Sequence, residues 1–250
     1  MTALTHLEVC IDNIESLHAA QQGGATRIEL CSSLSLGGLT PSVGFMRQAA
    51  RLSSVPVYAM IRPRQGDFLF SGEDMEIMLA DIHAAKQIGL QGVVIGVLNT
   101  AGKVDHDQLA ALMQAADGLG VTFHRAIDQC VNVYEALDMV MAAGCERVLS
   151  SGLQATALDG AETLAEMVRY CDNRLSIMAG AGVTADNAAD ILVQTGVKEL
   201  HLSGKTTRAS LMEHIAASAH MGDASVDDFA IPVTSAEKIA AVLQAVKTIR

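Results

Sequence analysis

The chain has 250 residues, of which 50% are hydrophobic and only 3% aromatic, and its formal net charge is -11 at pH 7. This acidic balance, with no cluster of Lys or Arg, argues against a nucleic acid or an anionic membrane as the binding partner. The length is typical of one α/β barrel, and we expect a single domain over residues 1–250.

The N-terminal residues, M-T-A-L-T-H-L-E, have neither the basic flank nor the apolar run of a signal peptide. No stretch approaches the ~20 apolar residues of a membrane span. We therefore expect a cytosolic protein. In a reducing compartment the five cysteines are expected to be thiols rather than a disulfide framework: Cys10, Cys31, Cys130, Cys145 and Cys171.

Several segments repeat one pattern, in which an Ala-rich helix is followed by a Gly that can end it in the left-handed conformation and then by a short β-branched strand. The clearest copies begin at Ala19, Ala84, Met141 and Leu192. Eight candidate strands lie near Leu7, Arg27, Val57, Gly92, Val121, Arg147, Leu175 and Lys198. Eight strands that alternate with helices predict an α/β fold, a closed (β/α)8 TIM barrel that leaves no exposed sheet edge.

Helix starts are predicted where a capping residue is followed three positions later by a partner. The pairs are Ser71 with Asp74, Asp105 with Gln108, and Thr234 with Glu237. The last pair predicts a closing helix from Ala236 to Thr248. Thr184 is expected to cap helix seven.

The segment from Lys205 to Val233, between strand eight and the closing helix, is predicted to be an insertion and the one long irregular stretch. It is either a solvated insertion or a lid or subunit contact. In the second interpretation the side chains of interest are Met212, His214, His220 and Met221.

Strand parity predicts a polar barrel interior. Alternate residues of a barrel strand face the interior or the helical layer. If the apolar positions of strands one, two and eight pack on the helices, the inward positions are Glu8, Cys10, Arg27, Glu29, Cys31, Glu199, His201 and Ser203. Because burying such groups unpaired would cost several kcal/mol each, the pattern predicts a polar cavity near the top of the barrel.

Cys10 and Cys31 form the first candidate site. They lie near the ends of neighbouring strands, about 4.8 Å apart in a sheet, and share inward parity. Two thiols suit a soft ion such as Cu(I), with Cys130 as a weaker third candidate. The alternative is that both are small buried hydrophobic residues. A zinc site has less support because the sequence has no C-x-x-C and no close His pair.

The second candidate site combines carboxylates with Arg and His residues from five strands: Glu8, Glu29, Arg62, His124, Arg125, Asp128 and His201. Such groups can act as general base, anion clamp and general acid on a small anionic substrate. In this interpretation Glu8 or Glu29 is the base, His124 polarises or protonates the substrate, and Asp128 orients its neighbours. The alternative is an ion-pair network that fills the barrel.

Two further motifs concern anion binding. Arg62 and Arg64 lie on a loop stiffened by Pro63, which favours recognition of a carboxylate or phosphate. Gly180 and Gly182 follow strand seven, where backbone amides can bind an anion, although tight helix packing is an equal alternative. The G-K-T-T run from Gly204 is not a P-loop, because Glu199 stands where the first Gly is required; nucleotide hydrolysis is therefore not predicted.

Over roughly positions 7 to 204 the chain resembles the CutC family of copper homeostasis proteins. The motifs that carry the resemblance are L-E-V-C at Leu7, R-I-E-L-C, G-G-L-T-P-S, I-R-P-R-Q-G-D-F, V-T-F-H-R-A-I-D-Q-C, R-V-L-S-S-G, M-A-G-A-G-V and E-L-H-L-S-G.

The resemblance implies a cytoplasmic, oligomeric TIM barrel that binds Cu(I) through cysteines. Cys10 and Cys31 match the first two cysteine positions of the family, whereas Ile11 and Leu69 stand where some relatives have further thiols. The leading prediction is therefore a copper homeostasis protein that forms a homodimer or larger homo-oligomer. The rival is a metal-independent enzyme or binder of a small phosphorylated or carboxylated metabolite at the C-terminal mouth of the barrel. A purely structural oligomer is a third possibility, against which the polar interior argues.

Overall fold

The computed structural model describes residues 4–214, 219 and 226–247. Eight parallel strands pair in chain order, and the eighth pairs with the first to close a barrel. The predicted (β/α)8 TIM barrel is confirmed. None of the helices in these ranges is long and apolar enough to cross a membrane.

The elements are, in chain order, β1 (His6–Ile11), α1 (Ile14–Gly23), β2 (Arg27–Leu30), α2 (Val43–Leu52), β3 (Val57–Met60), α3 (Gly72–Ile88), β4 (Gly92–Ile95), α4 (His106–Ala115), β5 (Gly120–Phe123), α5 (Val133–Ala143), β6 (Arg147–Ser150), α6 (Ala161–Cys171), β7 (Ser176–Ala179), α7 (Ala188–Thr195), β8 (Glu199–Leu202), β9 (Lys205–Ala209), β10 (Ala230–Thr234) and α8 (Ala236–Lys247).

Left-handed glycines end four of the helices, as the repeated pattern predicts. Gly24, Gly89, Gly144 and Gly196 have φ angles of 96°, 88°, 89° and 73°. Each donates its N–H to a carbonyl of the last helical turn. Because a side chain would strain this conformation, glycine there stops the helix and turns the chain into the next strand.

Two of the predicted helix starts are confirmed. Ser71 accepts from the Asp74 N–H, and the Asp74 carboxylate accepts from the Ser71 N–H, which is a complete capping box. Asp105 accepts from the Gln108 N–H, but the Gln108 side chain donates to the Phe70 carbonyl instead of completing the box.

The predicted closing helix does begin at Ala236, but the other two capping residues are wrong. Thr184 does not cap α7, because the helix begins after Asn187, whose side-chain oxygen accepts from the Thr184 N–H. Thr234 belongs to β10, and its hydroxyl donates to the Ser203 carbonyl. The hydroxyl of Ser235 accepts from the Lys238 N–H at the start of α8 instead.

The segment after strand eight is only partly irregular, so the prediction for Lys205 to Val233 is wrong at both ends. Strands β9 and β10 pair antiparallel there. The pair is tied to the α1 region, since Asn13 donates to the Pro232 carbonyl at 3.1 Å and Arg208 contacts Glu15 at 2.9 Å. Met212 and His214 are exposed; His220 and Met221 lie outside the described residues.

The predicted strand parity holds. The apolar positions of β1, β2 and β8 are completely buried in the layer between sheet and helices, as for Leu7, Ile28 and Leu200. The polar positions point into the barrel and are also buried, including Glu8, Arg27, Glu29, Glu199 and His201. The interior is therefore charged, and each buried charge needs either an ion-pair partner or a bound ligand.

Candidate functional site

A buried ion-pair cluster forms the floor of the site. Arg27 of β2 contacts both Glu8 and Glu199, and Arg147 of β6 contacts Glu199 at 2.7 Å. Both guanidinium groups also contact the Tyr58 ring, each with its Cζ 5.5 Å from the ring centroid. Since these charges are paired and hydrogen bonded, the floor holds Glu8 in place rather than offering a free group to a ligand.

Glu8 connects the floor to His201. The two residues are register partners where β1 meets β8, and His201 Nδ1 lies 2.8 Å from Glu8 Oε1. Burial alone would raise the pKa of Glu8, but the hydrogen bond from His201 and the charge of Arg27 lower it to about 2. Burial opposes a charge on His201, yet Cys10 and Glu29 outweigh this and hold its pKa well above the usual value.

Cys10, Glu29 and His201 form a compact group above Glu8. One ligand atom from each lies within 4.8 Å of the others, and His201 Nε2 is 3.8 Å from Glu29 Oε2. The Cys31 thiol contacts this group through one hydrogen bond, which it donates to Glu29 Oε2 at 3.4 Å. Burial raises the pKa of Glu29 and raises that of Cys31 well above its usual range. The fold thus groups Cys10 with an imidazole and a carboxyl.

Arg62 and His124 both contact the Phe68 ring. The ring centroid is 5.2 Å from Arg62 Cζ and 4.9 Å from the centroid of His124. Arg62 is buried, and both of its Nη atoms are held by backbone carbonyls, those of Leu36, Gly38 and Gly66. The guanidinium is therefore fixed in one orientation, with Nε left over.

His124 is a neutral hydrogen-bond donor. Its Nδ1 accepts from the Ala126 N–H at 3.1 Å, which assigns the ring hydrogen to Nε2. Burial first, and then the charge of Arg62, lower the pKa of His124 to about 3. The imidazole therefore stays uncharged at neutral pH.

Unpaired buried atoms mark the mouth of the barrel. In the described part of the chain four buried side-chain atoms have no hydrogen-bond partner; one is Gln108 Oε1, and the other three are Glu29 Oε1, Arg62 Nε and His124 Nε2. Each unpaired buried group costs about 1–3 kcal/mol, so three near one mouth require an explanation. Glu29 is on β2, Arg62 follows β3 and His124 follows β5, at the strand ends where TIM barrels bind ligands.

Asp128 acts as a structural clamp at the same end. Its carboxylate accepts from Arg125 Nε at 2.8 Å, from the Ser150 hydroxyl at 2.6 Å, and from both the N–H and the hydroxyl of Ser151. This fully used carboxylate joins the loop after β5 to the loop after β6. It fits the predicted role of orienting neighbours better than that of a proton acceptor.

The remaining predicted site residues lie at the edge of the group. Arg64 is partly exposed, and its guanidinium pairs with Asp67 at 3.0 Å and Asp74 at 3.4 Å. Gly180 packs so closely on His201 that an added Cβ would come within 3.2 Å of the His201 Cβ. Gly182 has a φ of 72° in the turn after β7. Tight packing therefore accounts for Gly180.

Three contributors were missed by sequence reasoning: Phe68, Gly96 and Tyr58. Phe68 lies in the same motif as Arg62, and this adjacency was its only signal. Gly96 leaves room for the His124 ring, because a Cβ at this position would lie 2.2 Å from the ring. Tyr58 shows no polar pattern in the sequence, and its role follows only from the contacts of its ring with two arginines.

The two described surface cavities lie elsewhere. One, of about 640 Å³, is a groove lined by residues of α2 and α3. The other, of about 400 Å³, lies near the amino ends of β7 and β8. Neither is lined by Cys10, Arg62 or His124.

Comparison with known proteins identifies the family. The sequence profile of the CutC family matches residues 5–206. A protein of Photobacterium profundum named as a CutC family protein is 69% identical over 241 residues, which is 96% of this chain and 98% of that protein. One from Vibrio parahaemolyticus serotype O3:K6 is 59% identical over 98% of this chain and 100% of that protein.

A solved structure agrees. A CutC protein of Streptococcus agalactiae, named for copper homeostasis, superposes with a TM-score of 0.76 at 32% identity, covering 80% of this chain and 98% of that one. The profile match and both relatives span nearly the whole barrel. The chain therefore belongs to the CutC family.

Proposed function

We propose that the protein is an enzyme that binds a small, oxygen-rich anionic metabolite at the C-terminal mouth of the barrel and acts on it by proton transfer. The observation that carries this proposal is the set of three buried, unpaired atoms, Glu29 Oε1, Arg62 Nε and His124 Nε2. A bound anion would supply the missing acceptors for the two N–H groups.

Arg62 supplies the charge complementarity. Its guanidinium is buried and fixed by carbonyls, and no carboxylate neutralises it in the described contacts. A buried cation without a counter-ion is costly, and a carboxylate or phosphate would offset that cost. His124, neutral and with its hydrogen on Nε2, then donates to a second oxygen without adding charge.

Glu29 and His201 supply the proton transfer. Burial raises the pKa of Glu29, so its carboxyl holds a proton more readily than an exposed one. His201 lies 3.8 Å from it and is anchored by Glu8. A buried carboxyl next to an anchored imidazole is an arrangement suited to general acid–base catalysis.

The test compares ligand binding by Arg62→Lys with that by Arg64→Ala. Arg62→Lys keeps the charge but removes the fixed Nε, whereas Arg64→Ala alters an exposed arginine on the same loop. Thermal shifts and native mass spectra are recorded with inorganic phosphate, glycolate and phosphoglycolate. We expect wild type and Arg64→Ala to bind the same anion, and Arg62→Lys to bind it at least about tenfold more weakly. Equal binding by all three proteins would contradict the proposal.

A second candidate function is copper binding, supported by the name of the Streptococcus agalactiae neighbour and by the group formed by Cys10, Glu29 and His201. Here copper would be cargo. The donors fit a mixed sulfur, nitrogen and oxygen site better than the two-thiolate site expected from sequence, because Cys31 holds its proton toward Glu29. The predicted pairing of Cys10 with Cys31 as Cu(I) ligands remains a prediction.

Anaerobic competition for Cu(I) with a chromogenic chelator separates these possibilities. Cys10→Ser and Cys31→Ser are compared with Cys171→Ser, whose thiol lies in the helical layer. Loss of affinity in both of the first two variants supports the two-thiolate site, and loss in Cys10→Ser alone supports the mixed site. Equal Cu(I) affinity in all variants would show that copper does not bind in the barrel interior.

We also propose that the chain works as a single-domain homo-oligomer in the cytosol. All five cysteines are free and buried, which suits a reducing compartment. Val131 and Val193 are 70% and 68% exposed, and such apolar surface is available for a subunit contact. Light scattering after size-exclusion chromatography tests the oligomer, and a monomeric mass at every concentration would contradict it.

A further inference from the structure

Cys10 has the neighbours of a nucleophile rather than those of a structural thiol. It lies two residues after Glu8 on β1, so both side chains point into the barrel. Its sulfur is within 4.8 Å of ligand atoms of His201 and Glu29. Cys10 retains 8% of its exposure, whereas Cys31 is completely buried. Of these two thiols, Cys10 is the one that a ligand at the mouth can reach.

His201 is oriented toward this thiol. Its Nδ1 is held 2.8 Å from Glu8 Oε1, which leaves Nε2 for Cys10 and Glu29. Glu8 is in turn fixed by Arg27. A nucleophile beside an imidazole whose other nitrogen is held by a carboxylate is the arrangement that activates thiols and hydroxyls in unrelated folds.

The unpaired oxygen of Glu29 is an independent sign that a ligand belongs at this point. Glu29 is 3% exposed, and its Oε1 has no partner among the described residues. Its other oxygen, Oε2, is occupied by the Cys31 thiol. A ligand atom bonded to Cys10 would therefore have an unused carboxyl oxygen within reach.

We propose that Cys10, His201 and Glu8 form a catalytic triad in which Cys10 adds covalently to the carbonyl carbon of the ligand. This proposal rests on the proposed function for the class of ligand, a small aldehyde or ketone that carries a carboxylate or phosphate. Cys10 and His201 are the reacting pair, and Glu8 is a positioning residue that acts through His201.

The step balances without any further reactant. The Cys10 sulfur forms a bond with the carbonyl carbon, and the π electrons of the carbonyl move to its oxygen. This oxygen takes the proton of His201 Nε2, because His201 is held in its protonated form by its neighbours. The proton released by the Cys10 thiol then replaces it on Nε2, while Glu8 keeps Nδ1 in place. The product is a thiohemiacetal, and the reverse sequence releases the carbonyl compound.

Alkylation kinetics test the triad. Full-length protein, freed of metal with a chelator, is treated with iodoacetamide, and the modified residue is identified by intact mass and peptide mapping. We expect one adduct per chain, at Cys10, formed at least about tenfold faster than at any other cysteine. His201→Gln should slow the reaction about tenfold or more. Cys171→Ser should leave the rate unchanged, because this thiol lies in the helical layer, away from the proposed site.

The role of Glu8 is tested by conservative rescue. Glu8→Gln should slow alkylation of Cys10, and Glu8→Asp should restore part of the rate. A merely structural role predicts equal rates in these two variants once both are shown to be folded by circular dichroism. No modification of Cys10, or an unchanged rate in a folded His201→Gln variant, would overturn the triad.

Protection by glyoxylate, the smallest aldehyde with a carboxylate, connects the triad to the ligand. Glyoxylate should protect Cys10 from iodoacetamide in wild type and fail to do so in Arg62→Lys. If Arg62→Lys loses anion binding while glyoxylate never protects Cys10, the proposed anion site stands and the covalent step is overturned. If Cys10 is protected equally in both proteins, the triad stands and the role of Arg62 is wrong.

Discussion

Gly96 at the end of β4 and His124 after β5 are so close that a Cβ on Gly96 would lie 2.2 Å from the imidazole Cε1 and 2.3 Å from Nδ1. Gly96→Ala should therefore push the ring away from the Ala126 N–H and destabilise the protein by about 1–3 kcal/mol. Urea unfolding measures the loss, and anion binding should fall with it. Gly72→Ala is the matched control, because no atom lies within 4 Å of a Cβ there.

Acidification should destabilise the protein because of His124. In the unfolded chain this side chain binds a proton at a higher pH than ordinary carboxylates do. The pKa of His124 is lowered from 6.5 to about 3, so between these values the unfolded chain binds a proton that the folded chain does not. The contribution of His124 to stability is then complete above pH 6.5 and falls on acidification by up to about 1.4 kcal/mol per pH unit. In His124→Gln the slope over this interval should be smaller, measured by urea unfolding at a series of pH values. Equal slopes would show that His124 is protonated in the folded state.

Substitutions of Tyr58 test the contacts of the ion-pair cluster that forms the floor of the site. Its hydroxyl donates to Glu146 at 2.7 Å, and its ring contacts the guanidinium groups of both Arg27 and Arg147. Tyr58→Phe keeps the ring and should cost about 1 kcal/mol for the lost hydrogen bond. Tyr58→Leu also loses both cation–π contacts and should cost at least about 1 kcal/mol more. Thermal unfolding of the two variants separates these contributions, and equal Tm values would contradict them.

Asp128→Asn should loosen the loops rather than abolish ligand binding. The amide is uncharged and therefore accepts from Arg125 more weakly than the carboxylate does. Its NH2 group would also face the Ser150 hydroxyl, which itself donates to this side chain. We expect a loss of about 1–3 kcal/mol in stability. Faster hydrogen exchange over residues 150–154 should accompany this loss. If stability and exchange are unchanged while activity disappears, Asp128 takes part in the chemistry after all.

The barrel and its polar interior were predictable because both depend on periodic signals. A left-handed glycine followed by a short strand marks four of the units, and parity alone placed Glu8, Glu29 and His201 inside. The hairpin of β9 and β10 carries no such signal. β9 is the polar run Lys205–Ala209, almost wholly exposed, with no apolar alternation to reveal it.

The internal arrangement of the site was not predictable, since it depends on register. Parity put Cys10 and Cys31 on neighbouring strands, but the pairing of β1 with β2 sets Cys10 opposite Glu29. This offset of two residues gives Cys10 an imidazole and a carboxyl as neighbours. The same limit applies to Arg64, which matched Arg62 in sequence but is held by Asp67 on the outside of the loop.

The contact between Glu8 and His201 joins positions 193 residues apart in the chain. Neither the anchored imidazole nor the thiol environment around Cys10 exists until the eighth strand has paired with the first. During synthesis, a nascent chain that has formed only seven strands therefore lacks the proposed site, however much local structure it has formed. The proposed site is thus completed only when the barrel closes, and any truncation that removes β8 is expected to remove this site together with the closed fold.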